Sequence, residues 1–219
     1  MRSSRKLNTK PEPGGRANPP EFFTSGATLR SLRAATRSAH RRIEESRPMV
    51  RLMRADYTEA EYAQHLRRLF GFYEPFEAAL AAATQASSWP PSPSRTEMLR
   101  RDLEDLGCPP SEIRGLPRCQ CAPLHSDSAL AGSLYVYEGA ALGGQVVGRY
   151  LRRSLGTRYA FAFYHSDAVG RRRQWTAFCA TLERCGLTSP DAAVESALAA
   201  FAALGAWMEE PAAPAAAVR

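Results

Sequence analysis

Residues 128–151 read SALAGSLYVYEGAALGGQVVGRYL, an apolar segment that predicts a buried helix although it contains five glycines. Each interior glycine costs a helix about 1 kcal/mol relative to alanine, so five cost on the order of 5 kcal/mol, comparable with the net stability of a modest domain. At 100° per residue, Gly132, Gly139 and Gly143 fall on nearly one line along the helix. Such a bare stripe suits either close packing against another helix or the approach of a large flat ligand, and it permits a bend at Gly143 and Gly144.

The rest of the pattern predicts an all-α single domain of six to eight helices. Helical signals run from about residue 27 to residue 208, and strand signals are nearly absent. Capping boxes are predicted at Thr58 and at Ser94, a kink or helix end at Pro75, and a last helix beginning at Pro190. We expect a basic, Pro- and Gly-rich disordered leader in residues 1–26, the folded domain in residues 27–208, and a disordered tail in residues 209–219.

Composition limits the classes of function. We find no apolar run that approaches the roughly eighteen residues needed to cross a bilayer, so a soluble protein is expected. Five cysteines form an odd count without paired metal spacing, which indicates reduced thiols and a cytoplasmic location. The net charge of +7 favours acidic partners, but the arginines are scattered rather than grouped with aromatic residues. Nucleic acid is therefore a poor candidate, and an anionic ligand or an acidic electron-transfer protein is a better one.

One histidine lies on the apolar face of the first helix. His40 is followed one turn later by Glu44, whose carboxylate can hold the second imidazole nitrogen. Arg33 lies on the same helix and can meet a carboxylate of a ligand bound at its edge. A lone histidine on an apolar face is nevertheless more often a core residue than a ligand. His65, on the second helix, is the next candidate, although the two arginines that follow it predict an exposed face.

Three segments carry a resemblance to a known family: LRAATRSAH at residues 32–40, GFYEPFEAAL at residues 71–80, and LYVYEGAALGGQVVGRYL at residues 134–151. Together they resemble the heme oxygenase family over roughly residues 29–208. The match is most like the bacterial members that supply biliverdin, often to bacteriophytochromes. The resemblance implies a heme oxygenase-like helical fold in which haem lies between a proximal helix, the source of an axial histidine, and a distal helix kinked at glycines.

The resemblance also assigns roles to single residues. It makes His40 the axial ligand of the haem iron, Glu44 the carboxylate near that ligand, and Arg33 the partner of a haem propionate. Three distal glycines would lie against the porphyrin and the bound O₂: Gly139, Gly143 and Gly144. Weaker candidates for the propionates are Tyr135, Arg171, Arg172 and Arg173. Ala140 is a departure, because animal members carry an aspartate there that orders distal waters.

The activity implied is oxidative cleavage of haem at a meso carbon to biliverdin, CO and Fe²⁺. Haem b is both substrate and cofactor, O₂ is the oxidant, and electrons come from an external reductase or ferredoxin, which the charge of +7 suggests is acidic. One alternative is a haem-binding protein of the same fold without turnover. Another is a non-haem di-iron oxygenase, against which the absence of a Glu-x-x-His pair in the sequence counts. A bacteriophytochrome is a candidate partner, and a purely structural role beside it is a third alternative.

Overall fold

The computed structural model describes residues 26–85, 87–165 and 168–210, and every regular element in these ranges is an α-helix. The expected all-α fold is therefore confirmed. In chain order the helices are α1 (Ala27–Glu44), α2 (Arg47–Leu52), α3 (Glu59–Thr84), α4 (Arg95–Asp105), α5 (Pro110–Gly115), α6 (Asp127–Leu155), α7 (Ala162–His165), α8 (Ala168–Arg184) and α9 (Pro190–Glu209). These nine exceed the expected six to eight because α2, α5 and α7 have only six, six and four residues. The predicted leader and tail lie outside the described residues, apart from Gly26, Glu209 and Glu210.

Helix α3 starts as predicted but does not end at its proline. Thr58 and Glu61 form the complete capping box, with each side chain bonded to the backbone of the other. Pro75 has no N–H for the carbonyl of Gly71, and that carbonyl instead accepts the N–H of Cys119 at 3.0 Å. The loop after α5 thus satisfies the group that the proline leaves unbonded, and α3 continues to Thr84.

The start of α4 depends on a long-range partner. Ser94 accepts the N–H of Glu97 at 3.1 Å, but the Glu97 carboxylate pairs with arginines further along α4 instead of closing a capping box. The other free N–H groups go to Glu77 of α3, whose Oε1 accepts from Arg95 at 2.6 Å and from Thr96 at 2.9 Å. The capping box predicted here is therefore only half formed.

Helices α6 and α9 run in parallel and in close contact. The N–H of Ser189 donates to Ser128 Oγ at 3.2 Å, and a Cβ added to Gly132 would collide with the backbone carbonyl of Ala193. From the first contact to the second, the position on each helix moves four residues toward its C-terminus, so the two helices are parallel. Gly132 is therefore a packing glycine, which lets the two backbones approach.

Helix α1 also runs parallel to α9. The His40 ring meets the Phe201 ring edge-on, with 5.9 Å between centroids. One turn further along both helices, Ile43 Cδ1 lies 3.2 Å from the position of a Cβ on Gly205. Because α9 packs extensively on both α1 and α6, it forms a floor beneath both.

Helix α9 bears on the expectation that no apolar run is long enough to cross a bilayer. Among the described residues, α9 is the one helix that is long enough and apolar enough, by length and composition, to cross a bilayer. The sequence pattern missed this because the apolar character comes largely from alanine rather than from large side chains. The signal is weak, since the core helix of a soluble protein passes the same test. Four α9 residues are buried: Ala193, Ala197, Ala200 and Phe201.

Candidate functional site

The register of the parallel helices brings His40 and Gly139 opposite each other. The hydroxyl groups of Thr36 on α1 and Tyr135 on α6 are 3.2 Å apart. Four residues further along each helix come His40 and Gly139. Helix α9 gives the same register. On α9, Phe201 contacts His40 and lies eight residues beyond Ala193, which contacts the packing glycine Gly132 of α6. On α6, Gly139 lies seven residues beyond Gly132. Two independent sets of contacts therefore agree.

A second contact marks the other end of the space between α1 and α6. Ser154 Oγ lies 2.9 Å from the carbonyl oxygen of Arg54, just after α2. From Tyr135 to Ser154 a helix advances about 28 Å at 1.5 Å per residue. We call the surface between the two contacts the α1–α6 groove, defined by His40, Val50, Gly139, Gly143 and Val146.

His40 is oriented toward this groove rather than buried in the core. Its side chain is 56% exposed, and its Nδ1 lies 3.5 Å from Glu44 Oε2. The residue before it, Ala39, is buried, so His40 lies at the edge of the apolar face. A carboxylate at Nδ1 fixes the orientation of the ring and leaves Nε2 for an external ligand. The exposed fraction removes the interpretation of His40 as a core histidine.

The α6 side of the groove is bare and apolar. No atom beyond the local helix in the described chain lies within 4 Å of a Cβ added to Gly143, which is exposed. Large apolar side chains line the same stretch and are 40–48% exposed: Val50, Leu142, Val146 and Tyr150. Exposed apolar side chains gathered along one surface indicate a binding site for an apolar ligand. A bare backbone beside them lets a flat ligand approach closely.

One end of the groove is closed by Trp175 of α8. Its Cζ3 lies 3.7 Å from a Cβ placed on Gly139, and the guanidinium carbon of Arg33 lies 5.9 Å from the centroid of its ring. The hydroxyl of Thr36 donates to a backbone carbonyl, so the hydroxyl of Tyr135 donates to Thr36. With its proton so engaged, Tyr135 is a poor donor to a ligand carboxylate. Trp175 has no distinguishing signal in the sequence, where it reads as one core residue among several.

Two of the expected site residues lie away from the groove. A Cβ on Gly144 would come within 2.7 Å of Arg171 Nη1, so this glycine faces α8 rather than the groove. Arg171 donates to the carbonyl oxygens of Ala141 and Phe163, both at 2.6 Å. The expectation that Gly144 shares one surface with Gly143 fails because adjacent helical residues point 100° apart. Arg172 and Arg173 are exposed.

His65 is buried, and the exposed face predicted for it is wrong. Its Nε2 lies 2.5 Å from the hydroxyl of Tyr164, and burial lowers the pKa of His65 to about 4. The arginines that follow it pair with carboxylates: Arg67 with Glu112, and Arg68, which is largely covered over the Trp207 ring, with Glu210. Their charges therefore say nothing about the direction of the imidazole.

The comparisons with known proteins agree with this architecture. The family model described as heme oxygenase matches residues 27–210. The chain belongs to the heme oxygenase family. A curated relative named heme oxygenase, from Xanthomonas campestris pv. campestris, is 36% identical over 131 residues, which are 56% of this chain and 72% of that protein.

Solved heme oxygenases share the fold. The structure from Leptospira interrogans has a TM-score of 0.67 at 19% identity and covers 84% of this chain and 98% of that one. Heme oxygenase-2 from Synechocystis, solved with heme and NO, has a TM-score of 0.68 at 22% identity, with 84% of each chain covered. The expected family and fold are confirmed.

Membership of the family also settles the class of activity. Heme oxygenases are enzymes that degrade haem to biliverdin with O₂ and reducing electrons, and this chain is one of them. The di-iron alternative is excluded by the family. The described residues also contain no group of three or more His, Cys, Asp or Glu side chains that could hold a metal ion.

Proposed function

We propose that this heme oxygenase binds haem in the α1–α6 groove, with His40 Nε2 as the axial ligand of the iron, and opens it to biliverdin, CO and Fe²⁺. The observation that carries the proposal is the register that sets His40 opposite Gly139, with Gly143 one turn further. A flat ligand held by His40 on one face meets bare backbone on the other. When bound, the haem supplies the oxygen-activating chemistry, and the protein supplies position and surroundings.

Each wall of the groove has a separate task in this proposal. Glu44 holds Nδ1 of His40 and so fixes the ring for ligation through Nε2. Gly139 and Gly143 set the distance between α6 and the porphyrin. Leu142 and Val146 cover the porphyrin edge and exclude water from it.

Arg33 is the proposed partner of a propionate. It is exposed on α1 at the end of the groove closed by Trp175, seven residues before His40 and on nearly the same face of the helix. A carboxylate there would receive a charge-assisted hydrogen bond. Arg172 is an exposed alternative on α8. Tyr135 and Arg171 are not proposed, because each already donates to a group of the protein.

The electron donor is proposed to be an acidic reductase or ferredoxin that docks beside the groove. The net charge is +7, and two exposed arginines flank His40 on α1, Arg37 and Arg41. Such a basic surface speeds the encounter with an acidic protein. A bacteriophytochrome that takes up the biliverdin is the further partner suggested by the sequence resemblance.

A cytoplasmic location is proposed on the state of the cysteines. All five have free thiols, and even Cys119 and Cys121, whose sulfurs are 3.4 Å apart, are not bonded to each other. Free thiols in such number are typical of a reducing compartment.

A hemin titration tests the proposal, with His40→Ala as the decisive variant. Wild type is expected to form a histidine-ligated ferric complex. On addition of ascorbate in air, its Soret band should disappear and biliverdin absorption should grow. His40→Ala should lose the ligated spectrum and normal turnover while its melting temperature stays close to that of wild type, because the side chain is half exposed.

His125→Ala is the matched control, since His125 is exposed on the loop before α6 and should change neither spectrum nor rate. An unchanged spectrum in His40→Ala would remove His40 from the site. A stable Soret band in wild type under ascorbate would favour the alternative of haem binding without turnover.

A further inference from the structure

Arg171 of α8 reaches between two other helices and bonds to both of them. Its Nη1 donates to the carbonyl oxygen of Ala141 in α6, and its Nη2 donates to that of Phe163 in α7, each at 2.6 Å. The planar guanidinium holds its donors in a fixed fork, so the two bonds together define the separation of the two carbonyl groups. One side chain therefore fastens the middle of α6 to α7.

Gly144 provides the room that this guanidinium occupies. A Cβ on Gly144 would lie 2.7 Å from Arg171 Nη1, which is shorter than real Cβ contacts, so an alanine here would displace the end of the arginine side chain. The nearest backbone atom, the carbonyl oxygen of Tyr164, would be 3.4 Å away, an ordinary van der Waals contact. The two helices could therefore accept the methyl group, but the guanidinium could not keep its place.

The α7 end of this connection is itself anchored. Asp102 of α4 accepts the N–H of Ala162 at 2.6 Å and the N–H of Phe163 at 2.9 Å, the groups that begin α7. Asp102 is 3% exposed, and Leu103 beside it is completely buried. A helix of four residues has no stability of its own, so its position depends on such bonds. Arg171 thus ties α6, through α7, to the core of the fold.

The bonded carbonyl group lies directly beside the groove. Ala141 lies between Gly139 and Gly143 along α6, within one helical turn of each. Ala141 and Gly144 are buried, whereas Gly143 is exposed to the groove. Because these residues belong to one stretch of helix, a shift of the Ala141 carbonyl relative to α7 moves the bare backbone at Gly143 with it.

A guanidinium at this place costs more than an apolar side chain would. Burial lowers the pKa of Arg171 to about 10, so the side chain is partly desolvated and still carries its charge at pH 7. An apolar residue could fill the space without that desolvation, but it could not bond to two carbonyl groups. What the arginine adds is a pair of directional, charge-assisted bonds and hence a defined distance between α6 and α7.

We propose that Arg171 is a positioning residue, which holds residues 141–144 of α6 at a fixed distance from α1 and thereby selects the meso carbon at which haem is opened. The proposal rests on the proposed function, in which Gly139 and Gly143 meet the face of the porphyrin opposite His40. Displacements of about 1 Å are enough to change which atoms can react. Arg171 acts through α6, and no contact with haem is assigned to it.

Hydrogen exchange in the apo-protein measures whether the connection holds α6. Arg171→Gln should speed exchange of the backbone amides of residues 141–148 at least about tenfold more than exchange of those of residues 130–136, which lie in the half packed on α9. An equal increase in both segments would overturn the proposal, since it would show a general loss of stability. Unchanged exchange in residues 141–148 would overturn it as well.

Chromatography of the biliverdin isomers measures the effect on the reaction. In Arg171→Gln the share of minor isomers should rise at least about threefold, because α6 no longer has a fixed distance from the haem. The ferric spectrum and the Kd for hemin should stay close to wild type, because His40 and Arg33 are unchanged. Wild-type proportions of isomers in Arg171→Gln would overturn this proposal alone. A wild-type enzyme that forms no biliverdin would remove the proposed function and this proposal with it.

Gly144→Ala tests the same connection without removing the arginine. It should shift the isomers as Arg171→Gln does, because the methyl group displaces Nη1 from the Ala141 carbonyl. The double variant should shift them no further than Arg171→Gln alone. Additive shifts would overturn the proposal, since Gly144 would then act on the haem directly. If Arg171→Gln does not fold, wild-type proportions in Gly144→Ala would overturn it.

Arg118→Gln is the matched control. Arg118 is also a largely covered arginine that bonds to two backbone carbonyl groups, those of Ile113 and Leu116, and it pairs with Glu74 of α3. None of these partners belongs to the groove, so its loss should lower stability and leave the proportions of isomers as in wild type. An equal shift of isomers in Arg118→Gln would overturn the proposal, because any loosening of the fold would then have the same effect.

Discussion

Gly132 and Gly143 lie on nearly the same line of α6, yet their surroundings are opposite. A Cβ on Gly132 would collide with the carbonyl of Ala193 in α9, whereas a Cβ on Gly143 would meet no atom beyond the local helix within 4 Å in the described chain. The first half of α6 is thus packed against another backbone, and the second half is open. The same residue type lets two backbones pack closely at one end of the helix and leaves bare backbone exposed at the other.

The packing of the first half of α6 explains why a helix with five glycines is stable. Close contact between α6 and α9 in the packed half offsets the low helix propensity of glycine there. At Gly143 no atom of the described residues outside the local helix lies within 4 Å of an added Cβ, so nothing there offsets the low helix propensity and the cost falls on stability.

The largest effect on stability is expected from Gly132→Ala. The added methyl group meets backbone on α9, which cannot change rotamer, so the helices have to separate at a cost of about 3 kcal/mol in the free energy of unfolding. Urea denaturation of the apo-protein measures this. A loss below about 1 kcal/mol would mean that the α6–α9 contact adjusts easily, and the contrast between the two halves of α6 would lose its physical basis.

Val146→Lys tests the open half in the same helix. Val146 is 45% exposed, so the apo-protein should lose less than about 0.5 kcal/mol. Haem affinity should fall by about 2 kcal/mol, roughly thirtyfold in Kd, because an apolar contact is replaced by a charge that must be desolvated. Val136→Lys is the counterpart in the packed half. Val136 is 4% exposed, and there the loss should appear as unfolding instead.

Local chemistry was predictable from the sequence where both partners are close along the chain. The capping box of Thr58 and Glu61 formed as its spacing indicated. At Ser94 the same pattern was overridden by Glu77, seventeen residues away, because a carboxylate at a helix start bonds several N–H groups at once. Pro75 did not end its helix because the loop at Cys119 satisfies the unbonded carbonyl.

Within the site, the sequence located the helices better than the directions of side chains. His40 and Gly143 lie on helices that the sequence predicted, α1 and α6, whereas the register that sets α1 against α6 needed α9 as a third helix. Gly144 was grouped with its neighbour although it faces Arg171. Trp175 gave no signal, because its contact with Gly139 depends on how α8 crosses α6. Such long-range geometry is not encoded in a local pattern.

Arg33→Glu is expected to have a smaller effect at the end of the groove. Replacing a charge-assisted bond to a propionate by repulsion should weaken haem binding roughly tenfold, or about 1.4 kcal/mol. It should also change the mixture of biliverdin isomers, because the haem can rotate in its pocket. Arg42→Glu alters net charge equally but lies about 180° around α1. Equal losses of affinity in the two variants would assign the effect to overall charge rather than to a propionate.

At Gly143 the expected change in stability is a small gain. Gly143→Ala adds a methyl group to an exposed helical position with free space, so the apo-protein should gain up to about 1 kcal/mol through helix propensity. The same methyl group occupies the surface proposed to meet haem, so conversion to biliverdin should fall severalfold. Urea denaturation and turnover of the same preparation measure the two effects. Gly115→Ala, at the exposed end of α5, also has free space and should leave turnover unchanged. A Gly143→Ala enzyme that is more stable and equally active would show that the open half of α6 does not contact the substrate, even though its backbone is bare.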